Sequence, residues 1–249
     1  NPLVSKMGIS ELRDHGIEVK VGVLEKKAIE INVGFIKRMS TGMPWVRAKI
    51  AASIDGFSAL KSGESKWITS EESRDDGHKW RARSCAIITG IGTIKSDNPS
   101  LSVRAVKTKR QPIKIVVDPT FEVSKNYKFF DNSKVIIATI NQKDKSYNLK
   151  KNSFIDQGIE IIEFEPTEKP PNVFKISSFL HELGKREFNE LHLEAGSKLL
   201  GSFYDENLID EFVLYLAPKF FKEGIPLIKS ISSVNSLSDV INWTIKDSK

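Results

Sequence analysis

A chain of 249 residues suffices for one large α/β domain or a domain with an appendage, and its 39% hydrophobic and 28% charged residues are ordinary for a globular protein. No apolar run approaches the roughly 18–20 residues that span a bilayer, and the single cysteine, Cys85, excludes an internal disulfide framework or a cysteine-based zinc cluster, so a reducing cytoplasm is the expected setting. The net charge of +6 comes from scattered, mostly single lysines, a composition bias; the alternative is a field that attracts phosphorylated small molecules or nucleic acid, though the basic runs interleaved with aromatics that the latter needs are absent.

The chain opens on Asn1 and reads first as helix, strand, helix. A helix is expected around Ile9–His15 and a strand over Glu18–Val23. A second helix follows over Glu25–Met39, with Ala28, Ile31, Phe35 and Ile36 on one face. Ser40–Pro44 (STGMP) carries the Gly and Pro of a linker. From Trp45 onward short β-branched runs alternate with helical stretches. The runs are Val46–Ile54, Cys85–Gly90, Ile113–Asp118, Lys134–Ile140, Ile159–Phe164 and Glu190–Ala195. Their near-continuous apolar character predicts strands buried on both faces of a largely parallel sheet. Helices are predicted over Ser70–Arg83, Val173–Leu183 and Ser197–Glu206, giving an α/β layer architecture. Two lysine-rich stretches, Thr108–Pro112 and Asn141–Asn152, read as exposed loops, and Ile241–Ile245 (INWTI) is strand-like.

Three stretches carry candidate chemistry. Gly63–Ser84 (GESKWITSEESRDDGHKWRARS) holds a turn with Trp67, a capping-box spacing between Thr69 and Glu72, and Arg74, His78 and Arg81 on one helical face. Arg74 fits a solvated stripe. Arg81, close to Trp80 and Cys85, fits a part-buried guanidinium that needs an anionic partner such as phosphate. Thr89–Arg104 (TGIGTIKSDNPSLSVR) contains Gly90 and Gly92, but Lys95 replaces the third glycine, so it fails as a dinucleotide fingerprint and stands as a tight turn. Leu191–Phe203 (LHLEAGSKLLGSF) reads as strand, glycine turn and helix N-terminus, a geometry that offers N–H groups to phosphate at the carboxyl edge of a sheet. Glu194 stands at that edge, either capping backbone donors or facing the crevice. Asp55 is a turn residue or a crevice acid, and Lys49, within a strand, needs a partner if buried. The four histidines lack metal-ligand spacing, so no metal site is expected.

Together, VRAKIAASIDGFSALKSGESKWITSEESRDDGHKWRARSCAIITGIGTIKSDNPSLSVR, LHLEAGSKLLGSF and DEFVLYLAPKF closely resemble the reductase domain of the bifunctional riboflavin-biosynthesis deaminase–reductase family, from about Pro44 to Ile245. Residues 1–43 look like the end of that family's deaminase domain plus a linker, without its zinc-binding segments, and 44–249 like the reductase domain. The resemblance implies a dihydrofolate-reductase-like α/β fold, a mostly parallel sheet with helices on both faces. It also implies NADPH-dependent reduction of 5-amino-6-(5-phosphoribosylamino)uracil, no deaminase activity in this stretch, and a homodimer. At matching positions Ser65, Arg81, Leu101, Arg104 and Glu194 look like substrate contacts. Ala51, Trp67, Thr93, Asp97 and the turn of Gly196, Ser197, Lys198, Leu199, Leu200, Gly201 and Ser202 look like NADPH contacts. Pro119 stands where many members carry a small hydroxyl residue. Glu194, Lys49 and Asp55 are the candidates for ring opening or proton delivery, and the residues do not rank them. The rival readings are a related reductase of another pterin or pyrimidine, a non-catalytic remnant, and a basic binding module.

Overall fold

The computed structural model describes residues 7–66, 68–131, 133–168, 172–231, 236, 238 and 240–248. Helix α1 (Met7–Asp14) is followed by coil, not by the expected strand. Among the described residues Glu18–Val23 pairs with no strand, and Val21 and Val23 remain exposed. An alternating run without a neighbouring strand has no ladder to satisfy its backbone groups, which are left to water and a few local contacts such as Arg13 to the Val19 carbonyl. The single helix expected over Glu25–Met39 is two, α2 (Glu25–Ile31) and α3 (Val33–Thr41). The break is Asn32, at φ −122° and ψ 20°, whose side-chain amide donates back to the Ala28 carbonyl. Gly34 lets α3 lie against the sheet, because a Cβ there would stand 2.5 Å from the Asn189 carbonyl oxygen. Lys37 pairs with Asp210 and Arg38 donates to Asn189, so α3 is docked on the residues that follow it.

Strand β1 (Trp45–Ser53) begins the sheet, and β2 (Phe57–Ala59) turns away from it. Helix α4 (Glu71–Arg83) starts at Ser70, whose hydroxyl accepts from the Ser73 N–H; the capping residue is therefore Ser70 and not Thr69. Strand β3 (Ala86–Gly90) runs directly into α5 (Ile91–Asp97), so the Gly90–Gly92 turn opens a short helix. Then come β4 (Ile113–Val117), β5 (Val135–Ile140), α6 (Lys145–Ile155), β6 (Glu160–Phe164), α7 (Ile176–Lys185) and β7 (Glu190–Leu193). Helix α8 (Ser197–Asp205), β8 (Glu211–Ala217) and β9 (Ile225–Pro226) complete the order. Much of the stretch expected as a loop over Asn141–Asn152 is α6. Asp144 caps it by accepting from the Tyr147 N–H, and Tyr147 and Phe154, seven residues apart, bury one face beneath an otherwise lysine-rich surface. Among the described residues the strand-like Ile241–Ile245 pairs with no strand; Trp243 packs edge-on against Phe212 instead.

The described strands form a seven-stranded sheet in the order β6-β5-β4-β3-β7-β1-β8, with every pairing parallel, and a small antiparallel pair β2-β9. Parallel neighbours require crossovers, and helices supply them on both faces. On one face α7 and α8 pack Phe179, Leu180, Leu183, Leu200 and Phe203 against Ile50, Ile88, Ile115 and Leu193. On the other, Ile94 of α5 and Tyr147 and Phe154 of α6 cover Ile87, Val116 and Ile137. Helix α4 covers the remaining part of that second face, where β1 and β7 present polar side chains. There the fully buried Arg47 pairs with Glu190 and Glu211 and lies 4.4 Å from the Trp80 ring centroid. A buried charge is tolerated because its donors are met by carboxylates and an aromatic face.

Candidate active site

Strand order dictates where a ligand can enter. From β3 the chain leaves through α5 toward one face, and from the adjacent β7 it leaves through α8 toward the other. Diverging connections at neighbouring carboxyl ends leave a crevice between them. Its two lips touch where the Gly196 N–H donates to Thr93 Oγ1 at 3.1 Å. Gly196 is the N-cap of α8 and offers no side-chain cap. The first-turn N–H groups of that nine-residue helix thus lie without a capping side chain, with Lys198 exposed beside them.

Beneath this edge lies a polar layer between the sheet and α4. The β1–β7 register pairs Arg47 with His192 and Ala48 with Leu193, so the next step sets Lys49 beside Glu194 on adjacent strands. Glu194 is gripped by Arg81 of α4 through both carboxylate oxygens, Nη2 to Oε2 at 2.9 Å and Nε to Oε1. Burial pushes the Glu194 carboxyl up, but the Arg81 guanidinium and its hydrogen bonds outweigh it and hold the group well below the usual range. Lys49 is half-buried, with Nζ 5.7 Å from the Tyr215 ring centroid. The Tyr215 hydroxyl donates to Asp76 of α4 at 2.7 Å. His192 is fully buried, with Nε2 3.2 Å from Glu194 Oε1 but out of line for a hydrogen bond; burial pushes its imidazole down.

The predicted residues divide on placement. Lys49, Ala51, Arg81, Thr93, Glu194 and Gly196 gather around the crevice or the layer below it. The anionic partner of Arg81 is Glu194, not a waiting phosphate, and its remaining Nη1 reaches the Ser102 carbonyl at 3.4 Å. Arg104 stays exposed. Leu101, at φ 49°, is 5% exposed with its side chain in the core, which leaves only its backbone for a ligand. The run Gly196–Ser202 does not enter the crevice as a whole. The Leu200 side chain belongs to the core, and a Cβ on Gly201 would stand 2.1 Å from the Lys229 carbonyl oxygen. Leu199 packs against that core and Ser197 is buried, while the Ser202 hydroxyl bonds back to the Lys198 carbonyl. Asp97 lies at the far end of α5, accepting from Ser96. Asp55 accepts the Phe221 and Lys222 N–H groups, and Ser53 and these amides hold its carboxyl below the usual range. Ser65 lines a small pocket of about 160 Å³ with Leu60, Ile68, Lys219 and Phe221. Trp67 lies outside the described residues. Sequence reasoning missed His192 and Tyr215, although His192 precedes Glu194 by two and so shares its side of the strand.

Fold and crevice define a doubly wound α/β protein whose switch point carries a helix N-terminus without a side-chain cap. The chain belongs to the RibD C-terminal domain family, whose model matches residues 44–248. It is 35% identical over 260 residues to the riboflavin biosynthesis protein RibD of Haemophilus influenzae, covering 99% of this chain and 66% of that protein. RibD of Acinetobacter baumannii superposes with a TM-score of 0.83 at 32% identity, over 99% of this chain and 66% of the other. A Thermotoga maritima diaminohydroxyphosphoribosylaminopyrimidine deaminase/5-amino-6-(5-phosphoribosylamino)uracil reductase gives 0.78 at 29% identity, over 100% and 66%. The riboflavin biosynthesis reductase of Saccharomyces cerevisiae, at 14% identity and a TM-score of 0.61, shares the fold. The chain thus spans about two thirds of its RibD relatives' length.

Proposed function

We propose that this chain reduces 5-amino-6-(5-phosphoribosylamino)uracil to its ribitylamino product with NADPH. The observation that carries the reading is the β1–β7 register, whose continuation by one step brings Lys49 toward Glu194, just past the end of β7 and at the same sheet edge as the α8 N-terminus. Family membership supports the reaction class. The residues present fit a nucleotide cofactor. The α8 N-terminus has no side-chain cap, Gly196 places no side chain over it, and Lys198 adds positive charge, so Gly196, Ser197 and Lys198 would hold a cofactor phosphate. With its phosphate so held, the cofactor would supply the hydride from its nicotinamide.

The protein's own share is ring opening and charge control. The substrate amine's lone pair forms C1′=N as the C1′–O4′ bond breaks, and the departing O4′ takes a proton. Glu194, held ionised by Arg81, is no proton donor near neutrality. To Lys49, whose amine makes no ion pair among the described residues, we assign the supply of that proton. Glu194 balances the cationic C1′=N centre that then accepts the hydride. Asp55, committed to the Phe221 and Lys222 amides, holds the loop at the pocket of Ser65. Arg104 receives the substrate phosphate.

Mixing the purified chain with NADPH and the phosphoribosylaminouracil tests the reading: cofactor oxidation that requires the substrate supports it, and no oxidation with it, or oxidation with dihydrofolate in its place, refutes it. A homodimer is the matching assembly, supported by the edge position of β8 and its exposed Leu214 and Leu216, and light scattering measures it.

A further inference from the structure

Three side chains hold the two consecutive peptide units between Ser102 and Arg104. Gln111, just ahead of β4, clasps Val103 on both sides: its Oε1 accepts the Val103 N–H at 2.8 Å and its Nε2 donates to the Val103 carbonyl at 2.9 Å. His78 of α4 accepts the Arg104 N–H through Nδ1 at 3.3 Å. Arg81, one turn further along α4, donates to the Ser102 carbonyl. His78 is 5% exposed and Val103 6%, so these bonds are made largely away from water, where losing one is costly. The Arg104 side chain, by contrast, is exposed and has no side-chain hydrogen bond or ion pair among the described residues.

The arrangement ties two distant parts of the site to one rigid element. Through Arg81, α4 grips Glu194 at the end of β7, and through His78 it grips the backbone that carries Arg104. The groups facing His78 are the Arg81 and Arg104 guanidiniums, opposed by Glu194 and Asp75; burial first, then the two arginines, push its imidazole down to about 4. It is therefore neutral near pH 7, with Nδ1 available as an acceptor. A clamp of this kind presents a cation without spending any of that cation's own donors on the protein.

We propose that His78 and Gln111 are positioning residues for substrate recognition: they fix the backbone from which Arg104 reaches the substrate's phosphate. The proposal rests on the reductase reading of the site, and its test separates the two.

The test uses the full chain and three variants, His78→Leu, His78→Asn and Gln111→Leu. Asn can set Oδ1 where Nδ1 accepts, whereas Leu cannot accept at all. Ribose 5-phosphate is titrated into each by calorimetry, and steady-state kinetics compare the phosphorylated substrate with its dephosphorylated analogue. His78→Leu and Gln111→Leu are expected to weaken ribose 5-phosphate binding and raise KM for the phosphorylated substrate about tenfold, the loss of one hydrogen-bonded placement. kcat, NADPH affinity and the KM of the dephosphorylated analogue should stay within about twofold, and His78→Asn should recover most of the loss. Equal losses on both substrates, an unchanged preference for phosphate, or no recovery in His78→Asn would overturn the proposal. Should Gln111→Leu fail to fold, the His78 pair decides alone. A wild-type chain that oxidises no NADPH removes the reductase reading, yet ribose 5-phosphate binding that His78→Leu weakens and His78→Asn restores still supports the clamp.

Discussion

Arg81 and Glu194 form a two-point ion pair across the gap between α4 and the end of β7, with side chains only 14% and 12% exposed. A pair this buried is costly to break on one side, because the survivor keeps its charge without water. Arg81→Leu should lower unfolding free energy by about 3–5 kcal/mol, and adding Glu194→Leu should return most of it. Urea titrations of the two single variants and the double variant measure this. The pH sign follows from the carboxyl's depressed pKa. Its contribution is present above the unfolded value of 4.5 and is lost as pH falls below it, so the acid side of the wild-type stability curve should be steeper than that of the double variant.

Lys49 lies mid-way along β1 and Asp55 just past its end, and the proposed mechanism gives them different tasks. Lys49→Met removes the proposed proton donor and should lower kcat by about 100-fold or more. Asp55→Asn keeps an acceptor for the Phe221 and Lys222 amides and should change kcat less than about tenfold. Equal losses in the two variants would contradict the assignment of proton delivery to Lys49.

Gly196 offers a test in which stability and binding move in opposite directions. Its φ of −68° suits any residue, and an added Cβ would meet Thr93 Oγ1 at an ordinary 3.6 Å. Gly196→Asp should cap α8, with thermal stability unchanged or raised, since glycine at an N-cap trails aspartate by only a few tenths of a kcal/mol. The same carboxylate occupies the place proposed for a cofactor phosphate, so NADPH affinity should fall at least about tenfold. Thermal melts and fluorescence titration of NADPH read the two effects separately.

Most of the sheet was legible because its strands are buried on both faces. Val135–Ile140 is apolar or Thr throughout and was read within a residue of its true start. Helix α6 was hidden for the opposite reason: only Tyr147 and Phe154 mark its inner face, and its lysines and polar residues imitate a loop. Glu18–Val23 shows that alternation predicts a strand only when a neighbouring edge exists. In the site, Glu194 and Gly196 could be placed because strand, turn and helix start fall within a few residues. The Arg81–Glu194 pair spans 113 positions, and no local spacing encodes it. Leu200 and Gly201 were expected at the ligand as part of one turn, but helical geometry rotates them into the fold.

Lys114 tests the core far from the crevice. It is fully buried at the start of β4, with Nζ donating to the Phe129 and Asp131 carbonyls at 2.8 Å each, and burial pulls its amine down from 10.5 to about 8. Between these values the unfolded chain binds a proton that the folded chain has released, so stability rises with pH across that window. Relative to Lys114→Met, the wild type should gain up to about 3 kcal/mol between pH 8 and 10.5. Urea midpoints of both proteins at the two ends of the window check the sign and the size.

Hydride delivery at one carbon is the centre of the account, and an isotope follows it directly. With NADPH deuterated on the transferring face of the nicotinamide, the chain should convert the phosphoribosylaminouracil to a ribitylamino product bearing a single deuterium at the former C1′, read by mass spectrometry and NMR. Product lacking that deuterium, or no conversion by folded wild-type protein supplied with NADPH, would contradict it.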